Sequence, residues 1–343
     1  MFEIIDPLTF SGWDREIQSF PRHSFFHTLP WIRTLRESYG YRPYCFVEKR
    51  DWEVTTVIPM MEINSVITGK RGVCLPFTDF CAPLTRDNRS SNELLLRIIH
   101  HGRSQKWKYI ETRGWENQST DTSHLLKCYE HTLDLSKEKE TLYRNLRSST
   151  RRNISKAKKS GVSVSFQTSL DSMKVYYLLN CRTRKHHGLP PQPFSFFKNI
   201  HTHILDKNHG FIALAHYENK PVASSIFFLT NDKAYYKYGA SDRKYQFTRA
   251  NNLIMWESIL HCLDNNSASF SFGKTLEENT GLMQFKDGWG AGRAAYYYTK
   301  LDTESGKTIK YPSTVFGLHN KIFSMTSILL LRMFGTVIYR HMG

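Results

Sequence analysis

The chain has 343 residues, 40% of them hydrophobic, enough for two domains of ordinary size, each with its own core. Lys and Arg number 47 against 31 Asp and Glu, and the resulting net charge of +16 suits phosphate-rich partners or anionic surfaces. Cys45, Cys74, Cys81, Cys128, Cys181 and Cys262 form no CxxC pair and no metal-ligand spacing with the histidines, so buried reduced thiols and no metal are expected.

At the amino terminus Glu3 and Asp6 stand where a secretory leader would carry basic residues before an apolar run, which predicts a cytoplasmic protein. Residues 44–50 and 53–60 alternate as two strands around Arg50 and Asp51. An amphipathic helix follows over 92–103, then strands over 107–112 and 129–135. A basic helical stretch covers 138–160, with Gly161 as its C-cap. Another helix starts near Leu170 and stops at Gly188 and Pro190. A second hairpin, 211–217 and 222–229, turns around Asn219 and is followed by a helix over 251–263 and strands over 269–272 and 294–299. The order hairpin, helix, strand, strand thus occurs twice, a weak internal repeat. It predicts an α/β fold with a mixed central sheet flanked by helices, built twice, and a division into 1–136, 137–160, 161–302 and 303–343. The tail from Phe316 to Gly343 is apolar and basic, but Arg332 breaks its best run, 324–339, below the roughly 18 to 20 apolar residues of a spanning helix. Such a tail either lies in a membrane interface or packs on the body.

Several residues invite chemistry. Residues 281–290, GLMQFKDGWG, place Lys286 in a short glycine-bounded helix whose Leu282, Phe285 and Trp289 recur at helical spacing and are expected to face a core, with the ammonium at the edge of that stripe and free to point into a cleft. Arg144, Arg147, Arg151, Arg152, Lys156, Lys158 and Lys159 have no acidic residue among them, and a continuous helix stacks Arg144, Arg147 and Arg151 on one face, either gripping phosphates or simply solvated. His186 and His187 carry imidazoles, the side chain suited to general-base work, and equally suit a helix end. Gly273, Lys274 and Thr275 fail as a phosphate loop because Ala268 stands where the Walker A motif needs glycine. No Ser/His/Asp or Cys/His constellation is apparent.

Phe285 and Lys286 followed by Gly-Trp-Gly resemble the signature of the Fem-type transferases, which acylate cell-envelope precursors, and of the wider FemAB-like group in the GNAT superfold. STRRNISKAKKSGVSV resembles that family's interdomain segment, with Arg151 and Arg152 at the arginine pair. RTRKHHGLPP, containing His187, resembles a segment in which basic and histidine residues precede Gly-Leu-Pro. Residues 236–256 resemble the stretch holding a tyrosine strand, a mobile loop and the acceptor-side helix, which carries Tyr238 over, although a packed strand aromatic is the plain alternative. Two segments depart from the pattern: Ser271 replaces a usual aspartate, and Cys81 and Ala82 in PFTDFCAP replace two glycines. The ending is similar to that of a subgroup associated with exopolysaccharide and protein-sorting systems.

The resemblance implies two tandem GNAT-like domains and direct acyl or aminoacyl transfer from acyl-CoA or aminoacyl-tRNA to an anionic glycan or lipid-linked precursor, with tRNA as a partner if it is the donor. It places Lys286 as the charge that steadies the tetrahedral oxyanion. Arg151, Arg152, Tyr238, Phe285 and His187 become substrate-binding candidates, and the tail a peripheral membrane contact at the inner face. The competing reading is a non-catalytic basic module that holds RNA or anionic polysaccharide on a transferase-like scaffold.

Overall fold

The computed structural model describes residues 1–86, 92–115, 124–230, 232–311 and 318–343; Phe316, named with the tail above, lies outside them. The chain falls into two compact units. Unit 1 comprises Met1–Cys128, Ala295–Ser313 and Val337–Gly343, and unit 2 comprises Tyr129–Ala294 and Thr314–Thr336.

In chain order the first elements are β1 (Phe2–Ile5), α1 (Trp13–Gln18), α2 (Leu29–Tyr39), β2 (Arg42–Arg50), β3 (Glu53–Ser65), β4 (Gly69–Val73), β5 (Leu84–Thr85), α3 (Asn92–Ser104) and β6 (Tyr109–Arg113). Next come β7 (Leu126–Asp134), α4 (Lys139–Asn145), α5 (Ser148–Lys159), β8 (Ser163–Gln167), α6 (Leu170–His186) and α7 (Phe194–His203). The chain continues through β9 (Gly210–Tyr217), β10 (Lys220–Leu229), β11 (Lys233–Ser241), α8 (Ala250–Asp264), β12 (Ser269–Leu276), α9 (Thr280–Asp287) and β13 (Gly292–Asp302). It ends with α10 (Leu318–Met325) and α11 (Ile328–Ile338).

Both hairpins form. Glu218 and Asn219 turn the second with φ of 50° and 59°, the left-handed pair that matches strand twist. In the first the turn falls on Asp51 and Trp52, φ 46° and 69°, one residue later than the alternation suggested. β3 and β10 are buried almost throughout, as central strands covered on both faces should be. The core of unit 1 gathers Phe46, Ile58, Met60, Ile98, Trp107 and Ile110, and that of unit 2 gathers Phe227, Trp256, Ile259, Phe270, Phe272 and Trp289.

The two sheets have one design. Unit 1 orders its strands β1-β2-β3-β4-β6-β13 and unit 2 orders them β8-β9-β10-β11-β12-β7. The first four run antiparallel to their neighbours, and β4 with β6, like β11 with β12, is parallel. The repeat expected from the sequence is therefore present, but its last strand is exchanged. β7 follows β6 in sequence yet completes the sheet of unit 2, while β13 follows β12 yet completes that of unit 1, pairing Tyr298 with Arg113 and Asp302 with Tyr109. Sequence order alone carries no record of such a trade, because each strand keeps its own alternation whichever sheet it joins.

The basic stretch is two helices rather than the single one expected. Leu146 and Arg147 leave the helical region with ψ of 140° and 142°. Leu146 is buried, and the Arg147 N–H donates to Gly288 O at 2.9 Å, a bond the continuous helix would forgo. The break takes Arg144 and Arg147 off the face of α5 that carries Arg151. Leu142 before the break and Ile154 and Ala157 after it are buried, and Gly161, φ 79°, closes α5 as expected while Val162 N–H reaches Ala157 O at 3.2 Å.

In unit 2 the tail packs on the body. A Cβ on Gly188 would meet Asn320 O at 2.0 Å and one on Gly335 would meet Pro191 O at 1.9 Å, so α10 and α11 approach as closely as only glycine allows. The final residues are held in unit 1, where Tyr41 donates to Tyr339 O at 3.0 Å and Arg71 to His341 O at 2.7 Å.

Candidate active site

The parallel pair of unit 2 parts company early. β11 and β12 are in register at Lys233 with Ser269, Ala234 with Phe270 and Tyr235 with Ser271, and then diverge, β11 running on to Ser241 and β12 to Leu276. A bulge helps to open them. Tyr236 opposes Phe227 and Tyr238 opposes Ile226, so Lys237 is an extra residue that turns the two tyrosines to different surroundings. Carboxyl ends of diverging parallel strands are where open α/β sheets take ligands.

One side of this opening is fixed by α6, whose Thr183 Oγ accepts from Ser241 N–H at 2.9 Å and donates to Ser241 O at 3.0 Å. Arg182 pairs with Asp242 at 2.9 Å, and Arg243 Nη1 lies 3.2 Å from His186 Nε2. Residues 243–248 then form a 3₁₀ turn, and Arg249, φ 59°, leads into the amino end of α8. Arg243, Lys244 and Arg249 are exposed here.

The other side carries Lys286, 2% exposed, whose Nζ donates to Gly273 O at 2.7 Å and to Lys274 O at 3.0 Å. Gly273 has φ 69°, and this irregular end of β12 leaves carbonyls in need of donors, which the ammonium supplies. Asn279 starts α9 by accepting from Leu282 N–H at 3.1 Å. The charge is thus set in a largely dry setting, where it acts at much shorter screening than in water. Beside it His131, fully buried, places Nε2 at 3.2 Å from Asp287 Oδ1. Burial first, and the Lys286 ammonium second, lower the His131 pKa, so this imidazole stays neutral. Ser271, which stands where the resemblance led one to expect aspartate, donates to Glu130 Oε1 at 2.7 Å. A carboxylate is therefore present at that place, supplied by β7.

Residues 144–287 match the family described as acetyltransferase (GNAT) domain. Among solved structures the fold is similar to FemX over 87% of this chain and 96% of that one, with a TM-score of 0.66 and 14% identity. It is also similar to the tandem GNAT protein of the clavulanic acid biosynthesis pathway, with TM-score 0.55, 10% identity, and coverage of 92% and 100%. L-PGS from Bacillus licheniformis gives 0.53 at 12% identity, covering 94% of this chain and 96% of that one. No curated protein matches the chain. Residues 144–287 thus match a GNAT acetyltransferase domain, in a chain whose fold is FemX-like.

Around this GNAT-like domain the sequence-derived candidates scatter. Lys286 and Phe285 share α9: Trp289 is fully buried and Phe285 packs on the same core, edge-on to Trp289 at 5.8 Å, as expected, but Leu282 is only half-buried and the lysine, expected at the edge of the stripe, faces inward. Arg151 is half-buried and Arg152 exposed on α5, and the residue tied to α9 is Arg147, whose Nη1 donates to Gln284 O at 3.2 Å. Tyr238 packs against Phe197 at 5.8 Å and Phe196 at 6.2 Å, on the α7 side of the sheet. His187 is exposed at the end of α6, its pKa lowered by partial burial and by His186. Glu130, His131, Asp287 and Thr183 went unnoticed in the sequence, where an isolated strand acid or helix threonine has no distinctive spacing. Among the described residues no group of three or more His, Cys, Asp or Glu is placed to hold a metal ion, and all six cysteines are free and buried. No helix among them is long and apolar enough to cross a membrane.

The matching place in unit 1 is filled by its own chain. β4 and β6 pair only at Gly72 with Ile110 and Val73 with Glu111, after which Cys74 N–H bonds Glu111 O at 2.8 Å and Cys81 N–H bonds Arg113 O at 2.9 Å. The segment between them is pinned from every side. Arg113 donates to Leu75 O at 3.2 Å and Thr78 O at 3.3 Å while pairing with Glu111 at 2.7 Å. Trp31 donates to Thr78 Oγ1 at 2.8 Å, and Tyr296 and Tyr298 to Asp79 O at 2.8 and 2.7 Å. Beyond it, buried His27 accepts from Ser24 N–H and places Nε2 at 3.0 Å from Ala82 O. Cys81 and Ala82, where the resemblance has glycines, belong to this plug.

Proposed function

We propose that unit 2 transfers an acyl or aminoacyl group directly to an amine or hydroxyl of an anionic cell-envelope or exopolysaccharide precursor, with acyl-CoA or aminoacyl-tRNA as donor. The acceptor nucleophile attacks the donor carbonyl, a tetrahedral oxyanion forms, and its collapse expels the CoA thiolate or the tRNA hydroxylate, which takes the proton lost by the nucleophile. Such chemistry needs fixed positive charge at the oxyanion more than a protein nucleophile. The observation that carries the reading is Lys286, a buried ammonium held at the carboxyl end of β12 where β11 turns away. The exposed cations Arg243, Lys244 and Arg249 favour a phosphate-bearing donor or acceptor beside it. Arg151 and Arg152 extend that positive field, Phe285 walls the site through Trp289, Tyr238 holds the α7 wall, and His187 marks the rim. The name lysylphosphatidylglycerol synthetase, given provisionally to a further fold neighbour, supports a lipid-linked acceptor, and the acetyltransferase (GNAT) domain match supports a CoA donor. Work on a lipid-linked precursor would set the enzyme at the cytoplasmic face of a membrane.

Incubating the purified protein with isolated envelope and exopolysaccharide precursors and a panel of acyl-CoAs or charged tRNAs, read by intact mass, tests this. A fixed mass gain with one donor class, lost in Lys286→Met, is expected. Absence of any product, together with salt-sensitive RNA or polysaccharide binding that ignores Lys286, would instead identify the basic binding module.

A further inference from the structure

The helices that end the chain turn an apolar face outward. α11 presses Leu331 and Gly335 inward and leaves Leu329 and Met333, one turn apart, at 67% and 61% exposure, with Leu330 and Phe334 alongside, while α10 exposes Ile322 and Met325, at 59% and 80%. Single exposed apolar residues are ordinary, but six of them on two successive helices mark an interaction site. The helices themselves are charged in one sense only: they carry Lys321 and Arg332 and no Asp or Glu. Arg332 is exposed and its guanidinium stands 5.3 Å over the Tyr177 ring.

We propose that this face docks on an anionic phospholipid surface, the two helices lying in the plane of the interface with their exposed apolar residues among the acyl chains and their cations on the phosphates. At 8 and 11 residues the helices are far too short to span the bilayer. A second copy of the chain is the poorer occupant, because pairing this face with itself sets Lys321 and Arg332 against their own copies on molecules of charge +16. The inference deepens the membrane-proximal part of the proposed function and rests on it only for the acceptor, since adsorption does not depend on transfer.

The test is co-sedimentation of the whole protein with vesicles of phosphatidylglycerol and phosphatidylcholine, and with phosphatidylcholine alone, for wild type and for the double variant Leu329→Ser, Met333→Ser. Both positions are exposed, so the variant should keep its melting temperature. Wild type should bind the mixed vesicles, bind the neutral ones far more weakly, and lose affinity on the order of tenfold or more in the variant. Equal binding by both proteins, or none by wild type, overturns the proposal. So does a concentration-dependent dimer in sedimentation velocity that the variant abolishes. Transfer to a water-soluble acceptor, assayed in parallel, separates the failures: catalysis without adsorption sinks only this inference, and adsorption without catalysis sinks only the proposed function.

Discussion

Units 1 and 2 are built on one strand order and differ most where their parallel strands diverge. In unit 1 that opening is stopped by the chain between Cys74 and Ala82, with its carbonyls spent on Arg113, Tyr296 and Tyr298. In unit 2 the strands diverge past a bulge, the connection to α8 stays mainly exposed, and the buried cation sits on strand carbonyls at the far side. The same sheet thus serves once as a closed block and once as an open one. The difference is made by a short connecting segment and two cations: Arg113 neutralised by Glu111, Lys286 resting on neutral carbonyls.

That contrast breaks most readily at Arg113. Burial disfavours its charge, but the Glu111 carboxylate outweighs this and the guanidinium pKa is raised. Arg113→Met takes from buried Glu111 the two guanidinium hydrogen bonds it accepts and leaves Lys300 at 3.6 Å, and should cost about 3 to 5 kcal/mol in urea unfolding. Lys286→Met should instead lower turnover by about 100-fold to 1000-fold, near 3 to 4 kcal/mol in the transition state, whereas Lys286→Arg should restore part of the rate. A structural role alone would show a fall in melting temperature with kcat in the folded fraction unchanged.

A titration sharpens the comparison further. Burial, and secondarily the neighbouring His23, lower the His27 pKa to about 4 against hydrogen bonds to Ala82 and Ser24 that raise it. Its folded pKa is depressed below the unfolded value of 6.5, so the stability it contributes is present above pH 6.5 and is lost as pH falls towards 4. Protonation adds a hydrogen to Nδ1 opposite the Ser24 N–H. Unit 1 should therefore loosen first in that window, by about 3 kcal/mol in all, read as earlier amide exchange around the plug, and His27→Gln should flatten the pH dependence. The smallest effect belongs to unit 2: Asn279→Ala removes the cap of α9 and should cost about 1 kcal/mol of thermal stability.

Much of the scaffold was legible in the sequence, for reasons that also set the limits. The hairpins alternate strongly, and α6 and α5 carry their own stops at Gly188 and Gly161, so local pattern sufficed. β4, GKRGV, has no alternation to notice, and β8, SVSFQ, alternates over only five residues. The break at Leu146 and Arg147 depends on a bond to Gly288, which lies far along the chain. Lys286 was visible as an oddity, but its inward orientation follows from the bent end of β12, a feature of neighbouring backbone rather than of α9. Ser271 looked like a lost carboxylate because its partner Glu130 is on a strand contributed by a different part of the chain.

The traded strand also dictates a timetable for folding. When β6 has left the ribosome, its outer edge has no partner until β13 is made, roughly 190 residues later. At synthesis rates of about 5 to 20 residues per second this open edge persists for roughly ten to forty seconds. β7 waits less, because β12 arrives first. Unit 2 can therefore finish while unit 1 still lacks a strand, and the plugged opening, packed by Arg113 at the end of β6 and by Tyr296 and Tyr298 on β13, is among the last parts to set.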